Sequence, residues 1–212
     1  MTSQRLAVRK TYKLWIGGAF VRSEGIDKLA FTGSTEVGKL IQRELAGRHV
    51  RLTLELGGKA ANIVFDDAAL DQAVEGIVNG IYFNQGHVCC AGSRLLAQES
   101  IHEQLIEKLK RRLSTLRVGD PLDKNTDVGA INSKAQLEKI RELVASGEEE
   151  GAEIFQPECR LPERGYWFVP TLFTNVAQSY RIAQEEIFGP VLSMSSPVSL
   201  TSSRRGSRVT WT

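Results

Sequence analysis

No uninterrupted hydrophobic run in this sequence approaches the roughly 20 residues that carry a helix across a bilayer. Charge of one sign is lacking too. Lysine and arginine number 27 against 25 aspartates and glutamates, a formal net charge of +2. Such a balance gives neither nucleic acid nor an anionic membrane a reason to bind. Cysteine is scarce, with 3 in 212 residues, two of them adjacent. That excludes a disulfide framework and makes a reducing, cytoplasmic setting the expectation. Cys89, Cys90, Cys159, His49, His87 and His102 show no Cys-x-x-Cys or His-x-x-x-His spacing, so no metal site is expected. The N-terminus is basic (Arg5, Arg9, Lys10, Lys13) but has no apolar stretch of the kind a secretory signal needs. A transit peptide is the alternative there.

What is present suits a globular fold. Hydrophobic residues make up 42% and charged residues 25%, and the length allows one or two domains with a sizeable core. Lys13–Val21 reads as a strand, and Leu29-Ala30-Phe31 as a short buried one. Ser34 or Thr35 can cap a helix whose apolar stripe is Val37, Leu40, Ile41 and Leu45, with Gly47 as its stop. Strands are expected at Arg51–Leu56, Ala61–Phe65 and Leu95–Gln98. Asp66 or Asp67 is expected to cap a helix carrying Leu70, Val74, Ile77, Val78 and Ile81. Ser100 to Glu103 and Ser133 to Gln136 both match the capping-box pattern, each opening a further helix. Ala152–Gln156 and Tyr166–Val176 are later strand candidates, and Pro170 predicts an edge or bulge position for the second. Strands alternating with helices predict an α/β fold with a parallel sheet covered on both faces. From Ser193 the composition turns Ser/Thr-rich with Arg204, Arg205 and Arg208 and no acid. A disordered tail is expected there, with a basic patch for a partner as the alternative.

Two stretches carry chemistry. Asn84 to Arg94 reads Asn-Gln-Gly-His-Val-Cys-Cys-Ala-Gly-Ser-Arg, which sets two thiols on a glycine-flanked turn. A cysteine there can present its sulfur to a cleft as a nucleophile; the alternative is a pair of small core residues. Arg51 to Lys59 reads Arg-Leu-Thr-Leu-Glu-Leu-Gly-Gly-Lys, a strand that runs into a glutamate and a double glycine. A third stretch, Gly33-Ser-Thr-Glu-Val-Gly38-Lys39, follows a strand and opens a helix, a setting that favours an anion at the helix N-terminus. It matches the first seven positions of a nucleoside-triphosphatase phosphate loop, but Leu40 cannot supply the Mg²⁺-holding hydroxyl. It also lacks Gly-x-Gly-x-x-Gly spacing.

Together, Glu-Leu-Gly-Gly-Lys and Asn-Gln-Gly-x-x-Cys resemble the aldehyde dehydrogenase superfamily, with Cys89 lying 34 positions after Glu55. Phe31 to Gly38 and Glu185 to Val191 resemble two further motifs of that family, in the same order. The resemblance runs from about Glu24 to Leu192. It implies an α/β parallel-sheet catalytic domain with a remnant of a Rossmann-like nucleotide-binding domain. On that basis residues 1–23 are an N-terminal strand remnant, 24–54 the nucleotide-binding remnant, 55–192 the catalytic domain and 193–212 the tail. Relative to the family, a long segment between the first two parts is missing, and so is the C-terminal part. The absent segments include an upstream side-chain oxyanion donor and a lysine-containing grip on the adenine ribose.

The resemblance implies oxidation of a small-molecule aldehyde to a carboxylic acid with NAD or NADP. Cys89 would be the nucleophile and Glu55 the general base. Thr32, Gly33, Ser34 and Leu56 would contact the cofactor. Glu186 would hold the nicotinamide ribose, and Phe188 would pack beside the nicotinamide. For Glu186 and Phe188 the alternative is a helix end followed by a Gly-Pro turn. His87 stands where members often have Gln. Two other functions stay open: a non-catalytic fragment that forms a homo- or hetero-oligomer with family subunits, and a residual thiol esterase using Cys89 and Glu55.

Overall fold

The computed structural model describes residues 14–16, 19–21 and 26–197. The chain divides into two compact units, Met1–Leu56 and Gly57–Thr212.

In the first unit, β1 (Leu14–Ile16) and β2 (Ala19–Val21) pair antiparallel, with Leu14 opposite Val21. The single strand expected over Lys13–Val21 is therefore a hairpin. β3 (Lys28–Gly33), α1 (Thr35–Leu45) and β4 (Arg51–Leu56) form a strand–helix–strand unit with the two strands parallel. Ser34 caps α1, its hydroxyl accepting from Val37 N at 3.3 Å. The left-handed Gly47 follows the helix end. Gly38 is the buried residue of α1; a methyl there would come within 2.6 Å of Leu56 Cδ2.

The second unit is built on five strands in the order β5-β6-β9-β8-β7: Ala61–Val64, Arg94–Ala97, Val191–Ser195, Thr171–Val176 and Glu153–Phe155. All neighbours run parallel except β7, which is antiparallel to β8 and closes one edge. Alternation along the central strands divides the core in two. Leu172, Leu192 and Met194 join a cluster with α2 (Leu70–Tyr82) and α3 (His102–Leu113). Phe173 and Val191 join another with α4 (Lys134–Glu149) and α5 (Arg181–Gln184). The sheet is thus covered on both faces, as the period-two pattern requires. Burial of each such Leu, Ile, Val or Phe is worth roughly 1.5–3 kcal/mol. Among the described residues no helix is long and apolar enough to cross a membrane.

Several local expectations are overturned by long-range partners. α2 starts after Ala69 without a side-chain cap. Asp66 is engaged elsewhere: its N–H donates to Gln98 Oε1 (3.0 Å) and its carboxylate accepts from Gln98 Nε2 (2.8 Å). A two-point bond to the next strand outcompetes a cap on its own helix. Ser100 does not cap α3 either; it lies in a 3₁₀ turn, Glu99–Ile101, and α3 follows that turn with no side-chain cap. Ser133 does cap α4, accepting from Gln136 N at 3.2 Å. The strand expected over Tyr166–Val176 is confined to Thr171–Val176. It lies between β9 and β7, so it is not an edge. Pro170 precedes the strand, where no ladder donor is required, and the irregularity falls between Phe173 and Val176, where Asn175 has φ 56°.

Ser193 to Ser195, placed in the expected tail, instead belong to β9. Ser193 and Met194 are buried in β9, and Ser193 Oγ donates to Ile182 O at 2.9 Å. The buried His102 ring lies with Nε2 3.1 Å from Ser195 O. Residues 198–212, the rest of the expected tail, lie outside the described residues.

Tyr82, fully buried at the end of α2, donates its hydroxyl to Thr171 O at 2.8 Å. Burial pushes its phenol pKa far above the ordinary value, so it stays a donor. Tyr82→Phe should cost about 0.5–1.5 kcal/mol in urea unfolding, because it removes one buried hydrogen bond. An unchanged midpoint would show that this bond is not made in solution.

Candidate functional site

The cysteine turn grows out of the end of α2. After Tyr82 the chain passes through Asn84 (φ 50°), Gln85 (φ 57°) and Gly86 (φ 73°), three successive left-handed residues. Only glycine occupies that region without strain, so the two amides need compensation. Asn84 Nδ2 donates to His87 O (3.2 Å), and Gln85 Oε1 accepts from Gly129 N (3.0 Å). Gly86 is required twice: for its φ, and because a methyl there would overlap the Gly189 carbonyl.

Val88 to Ala91 then make a turn closed by Ala91 N donating to Val88 O at 3.0 Å. Cys89 and Cys90 are its central residues, and both thiols are free and exposed. The far side is pinned by Asn62, whose amide donates to Gly92 O at 2.9 Å and leaves no room for a methyl on Gly92. The reading of these cysteines as core residues is thereby excluded.

A second turn meets the first. Past α5 the chain runs through Glu186, the buried Ile187 and Phe188, whose φ of 53° is unusual for a bulky residue, before Gly189 and Pro190. Gln136 holds this turn, its amide donating to Ile187 O (2.9 Å) and Phe188 O (3.0 Å). In the capping-box pattern that side chain would have returned to its own helix. The Phe188 ring stacks on His87, with centroids 5.3 Å apart and planes 5° from parallel. Gly58, Val88, Ser93, Glu186 and Phe188 are among the residues lining a narrow cleft. The Glu186 carboxylate lies so close to Gly57 that a methyl there would overlap it. The structure therefore brings Glu186 and Phe188 to one cleft with Val88, the residue before Cys89.

The other candidates share the first unit. In the β3–β4 ladder Thr32 stands opposite Glu55 and Gly33 opposite Leu56, and Ser34 follows as the α1 cap. All five lie at the C-terminal ends of adjacent parallel strands, the end where α/β sheets bind ligands. Glu55 is exposed and Leu56 half-buried.

Four residues without an assigned role prove structurally prominent. Gln136 positions the Phe188 turn. Lys59 and Arg94 bury Nζ and Nε with no hydrogen-bond partner among the described residues. Burial, then the Arg94 charge, lowers the Lys59 pKa to about 8, with Glu186 opposing. His87, a simple departure by sequence, buries Nε2 without a partner and has a lowered pKa from burial. No periodicity marks these four, because their burial comes from non-local neighbours.

The His87 shift has a definite sign. Its folded pKa lies below the ordinary 6.5, so its contribution to stability is complete above pH 6.5. That contribution is lost as pH falls below 6.5 through the folded value. His87→Gln should flatten the acid limb of a stability–pH profile below 6.5; an unaltered limb would place the ring in solvent.

Residues 10–200 match the aldehyde dehydrogenase family. Over 178 residues the chain is 51% identical to retinal dehydrogenase 2 of Taeniopygia guttata, covering 83% of this chain and 34% of that protein. The crystal structure of an NAD-dependent aldehyde dehydrogenase from Sinorhizobium meliloti superposes with a TM-score of 0.77 at 44% identity, over 80% of this chain and 34% of that one. Betaine aldehyde dehydrogenase from Staphylococcus aureus, in complex with NAD⁺, gives 0.76 at 39% identity, over 80% and 35%. The chain thus spans about a third of the length of these relatives. With the match running through both units and across every motif described above, this chain belongs to the aldehyde dehydrogenase family.

Proposed function

We propose that this chain carries the aldehyde-oxidising chemistry of its family, with Cys89 as nucleophile, Glu55 as general base and NAD or NADP as cofactor. The observation that supports it most is the exposed Cys89 on a turn held at both ends, directly after Val88, which lines one cleft with Glu186 and Phe188. In this reading Cys89 loses its proton, and its sulfur forms a bond to the aldehyde carbon as the carbonyl becomes an oxyanion. The Cys89 backbone N–H is a candidate donor to that oxyanion, and one such donor is worth about 10²–10³ in rate. The bound cofactor would supply the acceptor for the hydride that leaves this carbon. The resulting Cys89 thioester is cleaved by water that has given its proton to Glu55, which returns the thiol and releases the carboxylic acid. Thiolate suits both halves, being a good nucleophile at neutral pH and a good leaving group.

The residues fit the cofactor they are assigned. Gly33 has no side chain to block an approach, and the capped N-terminus of α1 follows at once. Helix N-termini carry free backbone donors and a favourable dipole for a pyrophosphate. Thr32, Ser34 and Leu56 would add contacts there, Glu186 would hold the ribose and Phe188 would flank the nicotinamide. In this account residues 24–54 serve as the nucleotide-binding remnant and 55–192 as the catalytic domain. Free thiols favour a reducing compartment such as the cytoplasm.

A second function, pairing with family subunits, is favoured by the β3–β4 sheet. Among the described residues it has just two strands, and unpaired edges of this kind accept further strands. Size-exclusion chromatography should then show a complex with a full-length family subunit, and a monomer indifferent to that subunit would dismiss it.

For the enzyme itself, NADH or NADPH formation from a simple aldehyde should be abolished by Cys89→Ala. Glu55→Gln should slow turnover by about 10²–10⁴, the range for a lost general base. It should also leave an acyl group on the Cys89 peptide, seen by mass spectrometry. Turnover no greater than that of Cys89→Ala would refute the proposal.

A further inference from the structure

The two glycines that follow β4 are not alike. Gly57 is not among the residues with a left-handed φ, so its backbone would accept a side chain. What forbids one is Glu186. A methyl on Gly57 would overlap the carboxylate Oε2 and come within 2.8 Å of Cδ and 3.2 Å of Oε1. Those separations are shorter than van der Waals contact. Gly58, next to it, meets only Cys89 O, at 3.9 Å, an ordinary contact. Gly57 is therefore bare for the sake of one carboxylate from far along the chain. Both residues belong to the second unit. Glu186 is half-buried and lines the cleft with Gly58 and Phe188. Among the described residues it joins no ion pair. Packing on Gly57, and not a bonded cation, sets where its oxygens stand.

We propose that Gly57 is a positioning residue for Glu186. Its missing side chain is the seat that keeps the carboxylate at the cleft, in the place from which it would accept the hydroxyls of a nicotinamide ribose. The seat stands on the geometry alone; its service to the cofactor rests on the reading of Glu186 as the ribose holder. A carboxylate ends a flexible side chain. A methyl at Gly57 therefore turns Glu186 to another rotamer before it moves the backbone, and the fold survives while the carboxylate loses its place.

NAD⁺ is the probe, titrated calorimetrically into the whole chain and its variants. Gly57→Ala and Glu186→Ala should each weaken binding at least about tenfold, the weight of a hydrogen bond to a charged group. The double variant Gly57→Ala/Glu186→Ala should bind as Glu186→Ala does, because the methyl then meets no carboxylate. Gly76→Ala, at an exposed position of α2 with nothing within 4 Å, should bind as the parent does. Additive losses in the double variant would show that Gly57 acts on its own, and would overturn the proposal. A crystal structure of Gly57→Ala without cofactor gives the second readout. The Glu186 carboxylate should have left its place while Phe188 still lies on His87. An unmoved carboxylate overturns the seat, whether or not NAD⁺ binds. A displaced one, with no NAD⁺ binding by the parent, upholds the seat and dismisses the ribose reading. Should the methyl prevent folding, the double variant should recover the fold of Glu186→Ala; a double variant that stays unfolded would overturn the seat as well.

Discussion

Two backbones approach each other at Gly86 and Gly189 more closely than any side chain would allow. The candidate catalytic turn depends on that contact. One of the glycines ends the left-handed passage out of α2, and the other leads into β9. Neither could carry a methyl: at Gly86 it would overlap a carbonyl, and at Gly189 it would come within 2.6 Å of Ile140. Because the two turns touch, the ring of Phe188 can lie flat on His87, and Glu186 comes to line the same cleft as Val88 and Ser93. Strain at Asn84, Gln85 and Phe188 is tolerated because amide side chains tie these segments to Gly129 and to α4. Such strained residues persist where their surroundings over-determine them, and they concentrate at functional sites.

The second unit supplies rigidity beneath that contact. Its sheet is buried on both faces, and the helices that bring in the two turns, α2 and α5, pack on opposite ones. Exposed thiols sit on a turn braced from below, so reactivity and order are not in competition here. The cost appears in the buried polar atoms of Lys59, His87 and Arg94, which no described residue satisfies. Unsatisfied donors of this kind are rare in folded interiors, and those that persist call for a functional account.

Much of this was readable in the residues themselves, and the failures have physical causes. The glycines around Cys89 announced a turn, because left-handed and closely approached positions admit little else. Apolar spacing located α2, α3 and α4 because each buries one continuous stripe. Asp66 misled because a cap is a local bargain, while Gln98, 32 residues away, offers two bonds. The last strand, Val191–Ser195, was not expected because Ser193 and Ser195 look like tail residues. In the fold they belong to a central strand, where a serine is acceptable once its hydroxyl finds Ile182 O. Lys59 was invisible for the same reason: a lysine after two glycines looks exposed until Arg94 and Glu186 are brought around it.

The account stands on the meeting of the cysteine turn with the Phe188 turn, and the His87 ring is its natural reporter. Proton NMR of the native chain should show the His87 ring protons displaced upfield by the Phe188 ring stacked on it. Gly86→Ala should return them toward ordinary histidine positions while the remaining spectrum stays dispersed. His87 protons at ordinary positions in the native chain, or a displacement that survives Gly86→Ala unchanged, would contradict the account.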